Sequence, residues 1–166
     1  MKVVINQCYG GFSLSPKAVQ RLAELQGRPC YFFASGKYAT PRSRVAAVKD
    51  KQDWISISLA EADEQFIWWA FDIPNPNEVF GAEGDWFSRT VAENEAQSRL
   101  HHQHTIDNRP DDRHNPLLVQ VVEELGTAAN GSHAKLKVVE IPDGTRYEID
   151  EYDGMEHVAE SHRTWS

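Results

Sequence analysis

Asn115-Pro116-Leu117-Leu118-Val119-Gln120-Val121-Val122-Glu123-Glu124-Leu125-Gly126 spells a helix with both ends marked. An asparagine side chain accepts from the first unpaired amides of a helix, and proline suits the first helical position, where its missing N–H costs nothing. Leu117, Leu118, Val121, Val122 and Leu125 recur at helical spacing. Gly126 can take the left-handed conformation that ends a helix. Three strand-like runs follow, at residues 135–141, 145–152 and 155–163. Pro142-Asp143-Gly144 separates the first two, and Tyr152-Asp153-Gly154 the last two. Asp-Gly between such runs is a strong hairpin signal, because glycine accepts the positive φ of the turn. The expectation is an α+β fold in which an antiparallel sheet, with a C-terminal three-stranded meander, packs with two or three helices.

Working outward to the amino end, Lys2–Asn6 reads as a buried strand through Val3, Val4 and Ile5. The loop from Gln7 to Leu14 carries the glycine pair Gly10-Gly11. Ser15-Pro16 then repeats the cap-plus-proline start, and Ala18, Val19, Leu22 and Leu25 form an apolar helical face that Gly27 ends. In the middle, residues 29–34, 54–59 and 65–73 read as strands, and 35–44 as a basic loop. Pro74-Asn75-Pro76-Asn77 interrupts regular structure, 78–84 reads as loop, and 86–100, which lacks Pro and Gly, as a polar helix. The tract 101–114 is so polar that an exposed connector is expected. No repeat or linker divides the chain, so residues 1–166 read as one domain, with 28–108 as an insertion or divergent middle segment.

The 166 residues are enough for a real core. A formal net charge of -8 argues against a generic nucleic-acid or anionic-membrane binder, which needs clustered Lys and Arg to displace counterions, although an acidic chain can still hold a local basic site. No direct DNA or RNA binding is therefore expected. No apolar run approaches the roughly 20 residues that span a bilayer, and the start is too short and too soon polar for a signal peptide. Cys8 and Cys30 make no disulfide framework, which suits a reducing cytoplasm.

Chemistry is sparse. Gly10, Gly11, Phe12 and Ser13 lie between a strand and a helix start, where unpaired amides and the helix dipole suit an anion. They lack the lysine and spacing of a P-loop. The competing reading is a tight turn that buries Phe12 and Leu14, with Ser15 as the helix cap. His101, His102 and His104 cluster with His114 near by, but no cysteine lies close and the tract is polar, so no metal site is expected. The acidic pairs read as a wet face, and no nucleophile elbow occurs. No catalytic residue and no cofactor are assigned. Arg109, Arg113, Arg146 and Arg163 fall at element edges, Trp165 lies beside the last of them, and Asn130-Gly131 follows the helix. Guanidinium groups grip phosphate bidentately and aromatic rings stack on bases, so these residues are candidate ligand contacts. Surface ion pairs with the many carboxylates are the alternative.

Several stretches together resemble a widespread family of small phage and prophage proteins. They are residues 2–15 (with Asn6, Cys8, Gly10-Gly11-Phe12-Ser13), 115–126, Ala129-Asn130-Gly131, Val139-Glu140-Ile141-Pro142-Asp143, Glu151-Tyr152-Asp153-Gly154 and His162-Arg163-Thr164-Trp165. The resemblance leaves residues 28–108 outside it. The group is similar to phage immune-evasion sponges, which sequester cyclic nucleotide signals, such as cyclic ADP-ribose isomers, without cleaving them. That similarity implies a cytoplasmic homo-oligomer, within the infected or lysogenic host, that binds a small nucleotide signal. Two other readings stand beside it. One is an acidic protein–protein inhibitor of a nuclease or other defence factor, acting as a nucleic-acid mimic. The other is a small nucleotide hydrolase with a His and a carboxylate within reach.

Overall fold

Val3, Val4 and Ile5 favour extended backbone and are buried on both faces of strand β1 (Lys2–Asn6). The computed structural model of the chain describes residues 1–35, 54–65, 67–80 and 90–161. It is α+β, and its contacts divide it into two compact units, Met1–Gln26 with Asn108–Ser166, and Gly27–Asp107.

In the first unit, helix α1 (Pro16–Leu25) starts as its sequence indicates: the Ser15 hydroxyl accepts the Ala18 N–H at 3.1 Å, and Ala18, Val19, Leu22 and Ala23 are buried. A later helix (Pro116–Leu125, named α5 below) is capped by Asn115, whose side chain accepts the Leu117 N–H at 2.9 Å. It buries Leu118, Val119, Val121 and Val122, packs on α1 and β1, and ends at Gly126, with φ +55°. A 3-10 turn follows over Gly126–Ala129.

The second unit holds a three-stranded antiparallel sheet, with β2 (Tyr31–Ser35) between β3 (Trp54–Ile57) and β4 (Trp69–Phe71). The strand expected over 54–59 stops at Ile57, because Ser58 and Glu61 form a capping box that opens helix α2 (Leu59–Glu64). Helix α3 (Pro76–Phe80) occupies part of the expected 78–84 loop, since Pro76 serves as a helix start. Residues 81–84 of that loop, and all but Ser35 of the expected basic loop 35–44, lie outside the described residues. Thr90 and Glu93 form another capping box, and helix α4 (Val91–His104) runs on from it.

That continuation corrects the exposed connector expected over 101–114. His101 to His104 are helical, Ile106 is buried, and Ile106 N–H donates to Ala70 O at 2.8 Å, so the chain returns along β4. The His101 ring packs 5.2 Å from both Phe71 and Phe80 and 6.0 Å from Trp54. These aromatic rings, with Phe33, are the apolar core of the unit. Arg28 and His104 both reach Asp72, through Nη2 to Oδ2 and Nδ1 to Oδ1, each at 2.8 Å.

The C-terminal strands depart from the expected meander. Strand β5 (Leu136–Glu140) pairs antiparallel with β1, placing Val139 opposite Val3, while β6 (Tyr147–Tyr152) and β7 (Met155–Glu160) form a hairpin of their own. Gly144 does turn the chain, with φ +80°. The apolar residues of β5 gain more from β1, whose Val3, Val4 and Ile5 are buried, than from a polar neighbour such as β6.

Burial, and then the charge of His102, hold the His101 imidazole below its ordinary value of 6.5. The unfolded chain therefore binds this proton first as pH falls. The stability that neutral His101 contributes is present above about pH 6.5 and is lost as pH falls through the lowered folded value. Urea unfolding across this range should show declining stability on the acid side, and His101→Phe should flatten that decline. A wild-type curve flat below 6.5 would contradict the burial.

Candidate functional site

Asn6 has no solvent exposure, so all its polar atoms must be satisfied inside the protein. Its Nδ2 donates to the carbonyls of Cys8 and Gly154, both at 2.6 Å. Its Oδ1 accepts the Lys135 N–H at 2.7 Å and the Cys8 thiol at 3.3 Å. Its main-chain N–H donates to Glu156 Oε2 at 2.8 Å. One side chain thus joins the end of β1, the loop after it, the approach to β5 and the β6–β7 turn.

Glu156 is buried on β7, and Arg113 approaches the same Oε2 at 3.3 Å. The Arg113 guanidinium carbon lies 3.4 Å from the centroid of the buried Phe12 ring, a cation–π stack. Arg113 also accepts the Val4 N–H on its carbonyl at 2.8 Å, so it covers the edge of β1 that β5 leaves open.

In the expected anion loop Gly10 serves close approach and Gly11 a positive φ of 82°. A side chain on Gly10 would collide with the carbonyl of His133, which also accepts the Cys8 thiol at 3.0 Å. At Gly154, with φ +86°, an added Cβ would sit 2.7 Å from the Tyr9 carbonyl oxygen and 2.9 Å from Gly11 Cα. The loop at 9–11 and the turn at 152–154 are therefore pressed backbone to backbone. Asp153, at φ +50°, completes that turn, and the Gly154 N–H is held by Glu151 Oε1 at 2.7 Å.

Of the candidate ligand residues, the fold brings Gly10, Gly11, Phe12, Ser13, Arg113 and Asn130 into this unit around the loop. Phe12 is buried, and Ser13 accepts the Gly131 N–H on its carbonyl at 2.9 Å. Asn130 Oδ1 accepts the Leu136 N–H at 2.9 Å. At the start of α1 the Ser15 hydroxyl takes the Ala18 N–H and itself donates to Ala128 O at 2.6 Å. The helix end is thus met by its own cap, as the tight-turn reading has it. Arg109 is exposed, and Arg146 is exposed directly before β6, with its carbonyl accepting the Ser161 N–H. Arg163 and Trp165 lie outside the described residues.

The residues that sequence reasoning did not select are Asn6, Tyr9, Tyr152 and Glu156. Tyr9 is 64% exposed and Tyr152 79% exposed, on the two turns that Gly154 holds together. Exposed His133 and Lys135 belong to the backbone segment that lies beside Cys8 and Gln7. A polar Asn closing an apolar strand was the available signal for Asn6; nothing local distinguished Glu156 from its exposed carboxylate neighbours.

His–carboxylate pairs of the kind a hydrolase would need occur in both units, as His114 with Asp112 at 3.1 Å, both about half exposed, and as His104 with Asp72. Burial pushes the Asp72 carboxyl up, but hydrogen bonds from Arg28 and His104 outweigh it and hold the pKa below the ordinary value. Arg28 also reaches the carbonyls of Gln103 and Thr105, so the arrangement ties down the end of α4. Among the described residues no group of three or more His, Cys, Asp or Glu is placed to hold a metal ion. No helix among them is long and apolar enough to cross a membrane.

No family model, curated protein or solved structure matches this chain.

Arg113→Met should leave the buried Glu156 carboxylate without its counter-charge and cost about 3–5 kcal/mol. Arg113→Met combined with Glu156→Gln should recover much of that loss, because the Asn6 N–H keeps an acceptor. Urea unfolding of the two variants measures the difference, and strictly additive losses would mean that the pair is not coupled.

Proposed function

We propose that this chain is a non-catalytic binder of a small cyclic nucleotide signal, held at the surface where the Tyr9 loop meets the Tyr152 turn. The observation that carries this reading is the pair of strongly exposed tyrosines on two turns locked together by Asn6 and Gly154. Stacking of a base on an aromatic side chain contributes about 1–3 kcal/mol. Rigid turns lose little further freedom on binding, so more of that energy appears as affinity. Exposed Lys135 supplies a nearby cation for phosphate, and Arg113 supports the platform by stacking on Phe12. The resemblance to phage immune-evasion proteins supports sequestration as the purpose, within a bacterial host.

A second reading, the acidic inhibitor, is favoured by the β6–β7 hairpin. Between Tyr147 and Glu160 stand Glu148, Asp150, Glu151, Asp153, Glu156 and Glu160, with no Lys or Arg. Glu148 and Asp150 are exposed, share one face and lie about 6.8 Å apart along the strand. Such a row suits a basic protein surface, and this reading requires no small ligand.

Thermal unfolding against a panel of cyclic nucleotides and ADP-ribose isomers separates these readings. A true ligand at about 100 times its Kd should add roughly 2.7 kcal/mol of stability and be recovered intact. Tyr9→Ala and Tyr152→Ala should each weaken binding by roughly 5–150-fold without altering the melting of the unliganded protein. Recovery of a changed ligand would make the chain an enzyme. No shift across the panel would defeat the nucleotide reading and leave the acidic face, to be tested by loss of a salt-sensitive partner in Glu148→Lys with Asp150→Lys.

A further inference from the structure

We propose that the outer edge of β5 pairs with the same edge of a second copy of this chain, about a two-fold axis at Val139. The proposal is independent of any ligand and rests on how β5 spends its main-chain groups. Its odd-numbered residues face β1: Ile141 N–H donates to Met1 O at 2.9 Å, Lys135 O accepts from Gln7 N–H at 2.8 Å, and Val139 and Lys137 lie between them opposite Val3 and Ile5. Leu136, Val138 and Glu140 therefore present their N–H and C=O groups to the other side. There the Leu136 N–H is taken by Asn130 Oδ1. Among the described residues no strand pairs with this edge, and no hydrogen bond engages the main chain of Val138 or Glu140 on it.

An edge with unpaired main-chain groups is a template for another strand. The donors available restrict the register. Opposing Leu136 to Val138 or to Glu140 of the second copy needs the N–H that Asn130 already holds, and the first of these also sets Lys137 against Lys137. Opposing Glu140 to Glu140 sets like charges together and brings Val138 to Pro142, which has no N–H. Opposing Val138 to Glu140 avoids every one of these conflicts. It uses only the available N–H and C=O groups, and it lets the capped Leu136 of one copy meet the donorless Pro142 of the other, so the ladder ends cleanly on both sides. It also sets Val139 against Val139, Lys137 against Ile141, and exposed Lys135 against Asp143, which is 91% exposed while holding the Met1 amino group. Charge and donor complementarity thus select a second copy, related by a closed two-fold axis, as the occupant. The result is a continuous sheet in the order β1, β5, β5, β1.

Sedimentation of the full chain should give a species of twice 18.8 kDa that dissociates on dilution. Glu140→Pro removes an outward N–H and leaves the bonds to β1 in place, since proline is tolerated where the N–H of an edge strand faces outward. This variant should sediment as a monomer with unchanged circular dichroism. Val139→Cys should cross-link on mild oxidation, because directly opposed residues of a non-hydrogen-bonded pair lie about 4.5 Å apart, within disulfide range. The unmodified chain, with Cys8 and Cys30, serves as control under the same oxidant. If Glu140→Pro fails to fold, the cross-link alone decides. A wild-type monomer at every concentration, a dimer that persists in folded Glu140→Pro, or a Val139→Cys chain that does not cross-link beyond the control would each overturn the proposal.

Discussion

The amide of Asn6 sits where no water reaches, and it is joined there by a carboxylate and a guanidinium. Leaving any of these groups unpaired at such a depth costs more than a good hydrogen bond returns. The first unit is consequently constrained to one arrangement, because Asn6 is satisfied only when Cys8, Lys135, Gly154 and Glu156 converge on it. Apolar packing of α1 on α5, and of α5 on β1, tolerates small slides; this polar set does not. It also explains why Gly10 and Gly154 are glycines, since the convergence brings backbones within van der Waals contact. The exposed tyrosines ride on that rigid base without belonging to it.

The second unit solves a similar problem with different means. Helix α4 has no buried residue, so packing of an apolar stripe does not hold it. It is held at its start by the Thr90–Glu93 capping box, and at its end by Asp72 through His104 and by Arg28 on its last carbonyls. The half-buried rings of His101 and His104 also reach the aromatic core, His104 at Phe80. A helix that leans on a half-buried neutral imidazole loses that support as pH falls below about 6.5.

What could be read in advance follows from the range over which each signal acts. Asn115-Pro116 and Gly126, or Ser15-Pro16, act within one helical turn, and both helices begin where those residues place them. Asp153-Gly154 acts within one turn and closes its hairpin as expected. The partner of β5 was not local information: Pro142-Asp143-Gly144 marks a turn, but the choice of β1 over β6 depends on burial decided by the whole unit. Ser58 and Glu61 carried a capping signal that the alternation of Trp54 to Leu59 obscured. His101 looked solvated because its neighbours in sequence are polar, whereas its neighbours in space, Trp54, Phe71 and Phe80, come from three other elements. In the candidate site, the loop and Arg113 were legible as residue types. Their commitment to Phe12 and Glu156 was not, because that pairing spans the chain.

The hydrogen bond between Asn6 and Glu156 joins residues 150 positions apart. During synthesis β1 emerges long before its partner strand and its polar clasp. At ordinary translation speeds of about 5–20 residues per second, the interval is about 8–30 s. Through that time the apolar Val3-Val4-Ile5 segment has no native partner, while Gly27–Asp107, contiguous in the chain, can form its own contacts. The growing polypeptide thus carries a sticky strand that must wait for partners more than a hundred residues on, so chaperone capture of that nascent segment would matter more here than in a protein built from neighbouring segments.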